Sequence, residues 1–123
     1  MSNHKTVKLK PPSDLAPLLG HRAIDIDAKL GPLIRLLWAA GLPTEFSCEE
    51  YWPGLAWIAF YGTQEVEAFL GIAQRDYKVE GKSWDATGRS RRGPFFRVQL
   101  SVSFPAADIP YLVKAFAGFA AVA

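Results

Sequence analysis

The chain is poor in the residues that staple or ligate. In 123 residues it has one cysteine, one methionine and two histidines. A single cysteine, Cys48, excludes an internal disulfide, so a folded state has to come from apolar burial. That usage fits a reducing cytoplasm, where the sequence places the protein. His4, His21 and Cys48 are too few and too scattered for a zinc-binding spacing, so no metal and no cofactor is expected. Glycine-rich phosphate loops, G-x-S-x-G and H-E-x-x-H are all missing. The N-terminal MSNHKTVKLKPPSD has no apolar stretch of the kind a secretory signal needs. The apolar tail AFAGFAAVA falls well short of the ~20 residues that span a bilayer, so no membrane association is expected.

One further absence is local. Residues 36–74 contain no Lys or Arg and five Glu (45, 49, 50, 65 and 67). Basic stretches flank this acidic middle: six Lys or Arg against three Asp in residues 1–35, and seven against three acids in residues 75–104. Either the charges interleave in space and cancel, or the surface is two-faced and recruits a partner.

What is present is apolar. Half the residues are hydrophobic, with eight Phe, four Trp and four Tyr. That is enough for one cored domain over residues 1–123, with 1–24 a partly extended arm and loop. Val7 and Leu9 alternate with Lys8 and Lys10, which predicts a short strand ended by Pro11-Pro12. Leu30, Leu33, Ile34 and Leu37 have helical spacing. Pro32 starts the regular helix, Gly41 caps it and Pro43 stops it, while Asp25 to Gly31 form an irregular first turn and Asp25 and Asp27 read as helix-start residues.

Thr44 to Cys48 predicts a strand with Thr44, Phe46 and Cys48 on one face. A loop near 49–54 contains the Pro53-Gly54 turn, and Leu55 to Tyr61 forms a second strand, apolar on both faces. Thr63 caps a helix over 64–74. Tyr77 to Lys82 predicts a third strand of this series, DATGRSRRGP a polar loop, and Phe96 to Phe104 a strictly alternating strand. Asp108 and Pro110 open a final helix that is apolar nearly all round, so one of its sides is expected against a second subunit. The resulting order, β-α-β-β-α-β-β-α, predicts a two-layer α+β domain: a mostly antiparallel sheet with helices on one face, ferredoxin-like with an extra hairpin strand and a C-terminal helix.

The run LIRLLWAAGLPTEFSCEE, followed by WIAF and EAFL, resembles small bacterial and phage-type proteins of unknown function that carry an LLW-x-x-G-x-x-T-x-x-SCE-like run. The likeness covers residues 33 to 70. It implies no activity, but it marks residues 44–50 as a recurring element.

Three sites compete. The hairpin mouth, with Glu49, Glu50, Tyr51 and Trp52 at its rim and Trp57 behind, offers carboxylates for a cationic group and rings for stacking. Tyr61 extends that aromatic set. The GRSRRG segment brings Arg89, Arg91 and Arg92 together, with Arg97 and Trp84 nearby, and guanidinium groups match phosphate oxygens. Cys48 would be a nucleophile only beside a base or a positive field, for which His21 is the candidate. Glu49 and Glu50 oppose thiolate formation, so Cys48 is expected to be a small core residue facing the same way as Phe46. The leading expectation is a small, non-catalytic cytoplasmic binding domain, homodimeric, with an unidentified protein or small-molecule partner. A nucleic-acid or phosphate binder is the alternative, and a cysteine-dependent enzyme the second.

Overall fold

The computed structural model describes residues 5–73, 85–91 and 97–122. Among these residues the chain runs β1 (Thr6–Leu9), α1 (Ala16–Leu19), β2 (Ile24–Asp27), α2 (Gly31–Ala39), β3 (Thr44–Trp52), β4 (Leu55–Phe60), α3 (Thr63–Ala73), β5 (Asp85–Arg91), β6 (Arg97–Pro105) and α4 (Ile109–Val122). Short 3-10 turns, Ser13–Leu15 and Ala106–Asp108, lead into α1 and α4. No described helix is long and apolar enough to cross a membrane.

The strands form two antiparallel sheets, a two-stranded β1-β2 ribbon and a four-stranded sheet in the order β3-β4-β6-β5. The expected two-layer α+β class is what the chain adopts. Within the larger sheet the plan is a hairpin followed by a helix, used twice: β3-β4-α3, then β5-β6-α4. The inner strands β4 and β6 pair antiparallel at the centre, and each unit contributes one outer strand. Helix α3 crosses from β4 to β5, which run parallel with β6 between them, so β4-α3-β5 is a split β-α-β unit.

One face of this sheet carries the core. Register sets Ala56, Ile58 and Phe60 opposite Phe104, Val102 and Leu100. Helix side chains cover them. The ring of Phe69 on α3 lies 5.2 Å from Phe60, 6.3 Å from Phe104 and 5.5 Å from Phe116 of α4. All four rings are essentially inaccessible to water. α4 packs against both α2 and α3. Leu112 and Phe116 are buried, and the Tyr111 hydroxyl donates to the Ala73 carbonyl at the end of α3 (2.8 Å). Neighbouring helices of the same chain therefore explain much of the apolar character that suggested a second subunit.

Local rules account for α2. Gly41, at φ +81°, ends it in the left-handed conformation; its N–H reaches the Trp38 carbonyl, and the Leu42 N–H reaches that of Leu37. This double closure satisfies the last carbonyls of the helix. At the other end, a Cβ on Gly31 would come within 2.8 Å of Val7 Cγ2, so glycine lets β1 lie against the start of the helix.

Three expectations are corrected. Residues 24–27 are strand, not an irregular helix entry: Lys8 pairs with Asp25 and Leu9 with Ile24, so Asp25 and Asp27 are strand residues. The Ile-Asp-Ile-Asp alternation is the signal for that strand. Asp85–Arg91 is also strand, because pairing with β6 overrides the poor strand propensity of Gly88 and Ser90. Third, β3 continues to Trp52, leaving Pro53-Gly54 alone as the turn. The strand expected over Tyr77 to Lys82 lies outside the described residues.

Phe69 meets rings from both hairpin units and from α4, so Phe69→Ala should lower unfolding free energy by about 3–5 kcal/mol. The measurement is a urea titration followed by far-UV circular dichroism; a loss below about 1 kcal/mol would mean that this ring is not central to the core.

Candidate functional site

The chemistry of the acidic segment is set by two irregularities in β3. Thr44 pairs with Phe60 and Phe46 with Ala59, so β3 carries one extra residue at Glu45. Cys48 pairs with Trp57 and Trp52 with Leu55, so β3 is longer again between those pairs. A one-residue slip reverses which side chains face the core. Thr44 is therefore buried beside the core, while Phe46 turns to the opposite face and is 47% exposed. Phe46 and Cys48 do share a side, as expected, but it is the side away from the helices, and Thr44 does not share it.

Glu49 lies within the second irregularity, and its backbone N–H finds its acceptor outside the sheet. Asp27 Oδ2 receives that N–H at 2.8 Å, and Glu49 Oε1 receives the backbone N–H of Lys29 at 3.0 Å. Each bond has a carboxylate acceptor, so both belong to the stronger, charge-assisted kind. Together they clasp the turn after β2 to the middle of β3. Glu49, expected on a solvated rim, is 7% exposed.

Cys48 sits beside this clasp. Its thiol hydrogen-bonds the Asp27 carboxylate and the Glu50 backbone, and the charges of Asp27 and Glu49 act on it. Burial, together with those carboxylates, pushes the thiol above its ordinary range despite the Glu50 contact. The group is held neutral near pH 7, the reverse of what a nucleophile requires. His21 is exposed in the bend between α1 and β2 and is not among the groups that act on the thiol.

The LLW-x-x-G-x-x-T-x-x-SCE run thus acquires physical content. Trp38 Nε1–H donates to the buried Thr44 Oγ1 at 3.0 Å, fixing α2 on the first residue of β3. Gly41 makes the turn between them. Cys48 and Glu49 join β3 to Asp27 and Lys29. These residues form a joint between the two sheets.

Above the clasp, β2 and β3 diverge and leave a cleft of about 440 Å³. Ile24, Asp25 and Ile26 form one wall and residues 44–47 the other. Trp38 contributes to the lining, and Leu18, Leu19 and Tyr61 complete it. Leu18 is 57% exposed at this site. Among the described residues the lining includes two carboxylates, Asp25 and Glu45, and no Lys or Arg. Asp25 also takes a surface ion pair from Lys8 at 2.9 Å.

The structure does not gather the expected hairpin-mouth residues into one site. Glu50 is exposed, and its carboxylate accepts the Gly54 N–H at 2.9 Å, closing the turn. Trp52 stands 65% exposed at the hairpin tip. Trp57 is half-buried opposite Cys48, and Tyr51 lies in β3. The expected flexible arginine loop is largely strand: Arg89 pairs with Gln99 and Arg91 with Arg97. Arg92 and Trp84 lie outside the described residues, as does His4. Among the described residues no group of three His, Cys, Asp or Glu side chains is arranged to hold a metal ion. The cleft itself was missed because it depends on β2; the Ile24-Asp25-Ile26-Asp27 pattern was its available signal.

Comparison with protein-family models, with curated proteins and with solved structures finds no match to this chain.

Removing the Glu49 carboxylate strands the Lys29 N–H. Glu49→Ala should therefore cost about 1–3 kcal/mol in urea unfolding, and Glu49→Gln, which keeps an acceptor oxygen, clearly less. Equal losses for the two variants would show that the acceptor is not what matters. Cys48 should react slowly with iodoacetamide at pH 7, gaining rate only in alkali beyond the range of an ordinary thiol. Asp27→Asn removes a negative charge and should move that profile to lower pH. An unshifted profile would dissociate Asp27 from the thiol.

Proposed function

We propose that the protein is a small cytoplasmic binding domain, not an enzyme, and that its site is the cleft between β2 and β3. The supporting observation is the cleft's composition. A volume of about 440 Å³ lies within the ~300–1,000 Å³ usual for ligand pockets. Its walls are Leu, Ile and aromatic side chains with the carboxylates of Asp25, which Lys8 pairs at the surface, and Glu45, and among the described residues no basic side chain lines it. Such a site suits a ligand with an apolar body and a cationic group. The neutral thiol of Cys48 supports the non-catalytic reading, since the single sulfur nucleophile is disarmed by its neighbours.

A second depression, about 520 Å³ along Val7, Leu9, Pro32 and Leu36, has Arg35 as its charged lining residue and suits such a ligand less well. Homodimer formation belongs to the same reading, with exposed Trp52 at the hairpin tip, away from the cleft lining, as an apolar contact. The phosphate-binding alternative draws on the β5-β6 register, which sets Arg91 level with Arg97.

One titration tests both. In ¹H–¹⁵N NMR spectra, hydrophobic primary amines such as phenethylamine should shift amides of residues 18–26 and 44–47. A short single-stranded oligonucleotide should leave those unmoved. Shifts confined to residues 89–97 with the oligonucleotide, fading steeply with added salt, would transfer the function to the arginines. No shift at the cleft with any amine would remove the proposal.

A further inference from the structure

β1 and α2 line a second groove, which shares only Trp38 with the cleft between β2 and β3. It follows from the composition of α2. Leu33, Ile34, Leu37 and Trp38 of that helix are buried in the core. Pro32, Arg35, Leu36 and Ala39 fall at i, i+3, i+4 and i+7 and are exposed or half-buried. A solvated helix face is polar, but on this one Arg35 is the single polar side chain. Against it lie Val7 and Leu9 of β1, bounding a hollow of about 520 Å³ that is apolar apart from Arg35. A second hollow, about 320 Å³, has Lys8, Lys10 and Arg35 around Leu9, Pro12 and Trp38. Leu9 and Arg35 line both, so the two are one groove with an apolar end and a basic end. Among the described residues no Asp or Glu lines either end. Lys8 is paired with Asp25. Lys10 and Arg35 have no ion pair among the described residues, so they carry the charge of the site.

We infer that this groove binds a free single-chain amphiphile, an alkyl tail ending in a carboxylate or phosphate. The head meets Arg35, whose guanidinium matches two oxygens of either group, and Lys10 adds a second positive charge. The tail runs the other way along α2, over Leu9 and between Val7, Pro32 and Leu36. Arg35 stands at the junction of the two ends and so sets the direction of the ligand. The apolar end suits one inserted chain better than a bilayer. Leu9 is 4% exposed and Leu36 half-buried, out of reach of a flat surface, whereas interfacial binding uses apolar side chains that protrude into lipid. The three cations all come from the basic stretch 1–35. This site is independent of the cleft and of opposite charge to it, so the two readings stand or fall separately.

The test is a ¹H–¹⁵N NMR titration of the full chain with decanoate, kept below its micelle concentration. Amides of residues 7–10 and 31–39 should shift, and those of residues 44–47 should not. Affinity should fall about threefold for each methylene removed from the tail. Decyltrimethylammonium has a tail of the same length and the opposite head charge, and should bind there about tenfold more weakly or worse. The double variant Lys10→Glu, Arg35→Glu should reverse that preference. Both side chains are exposed, so the variant should fold, and its spectrum checks that it does. If both amphiphiles bind both proteins equally, head charge does not select the ligand and the proposal is wrong. Equal affinity for acetate and decanoate would make this a bare anion site and remove the tail. Shifts with phosphatidylglycerol vesicles but not with decanoate would make it a membrane-facing surface, against the inference. No shift at residues 7–10 and 31–39 with any of these removes the site, while the amine titration of the cleft keeps its own outcome.

Discussion

The joining of the two sheets turns on one reciprocal arrangement: Asp27 accepts the Glu49 N–H, and Glu49 accepts the Lys29 N–H. It coincides with a break in regular pairing. β3 is an edge strand, and the Glu49 amide lies within its second irregularity. There the β2 end supplies its acceptor. Bulges re-aim backbone groups in this way where a sheet ends or a site begins. The bonds are strong because the acceptors are charged, and the cost of burying Glu49 is met by the Lys29 amide. The Trp38–Thr44 bond then places α2, which carries Leu33, Ile34 and Leu37 into the core.

Much of this plan was legible in the residues. The alternation of Val98, Leu100, Val102 and Phe104 marked β6, and the spacing of Leu33, Ile34 and Leu37 before Gly41 marked α2. Those signals are local, so reading them needs no knowledge of the partner element. The site was less legible because its signals are not local. Glu49 and Glu50 look alike in sequence, but the bulge buries one against a turn twenty residues upstream and leaves the other closing a hairpin. Phe46 reads as core by alternation from Thr44, and a single extra residue at Glu45 puts it on the other face. Arg89 and Arg91 sit among Gly and Ser, a composition typical of loops, and become strand because β6 offers them a partner. In each case a long-range pairing decided the outcome.

Cys48 shows how one neighbourhood serves structure at the expense of chemistry. The carboxylate that anchors the Glu49 amide also takes the thiol's hydrogen bond and repels a developing negative charge. SCEE, a sulfur among acids, therefore serves as a joint, and the open volume lies a few residues to its N-terminal side, along residues 44–47.

The repeated hairpin-plus-helix plan carries a consequence for assembly. Each half of the larger sheet has an inner strand, β4 or β6, whose second edge is satisfied by the other half. If the halves part, each presents to any second molecule the same edge it presents to its own partner, and Ala56, Ile58, Phe60, Val102 and Phe104 lie along those edges. The β4-β6 interface is the surface that two molecules would share if they exchanged halves.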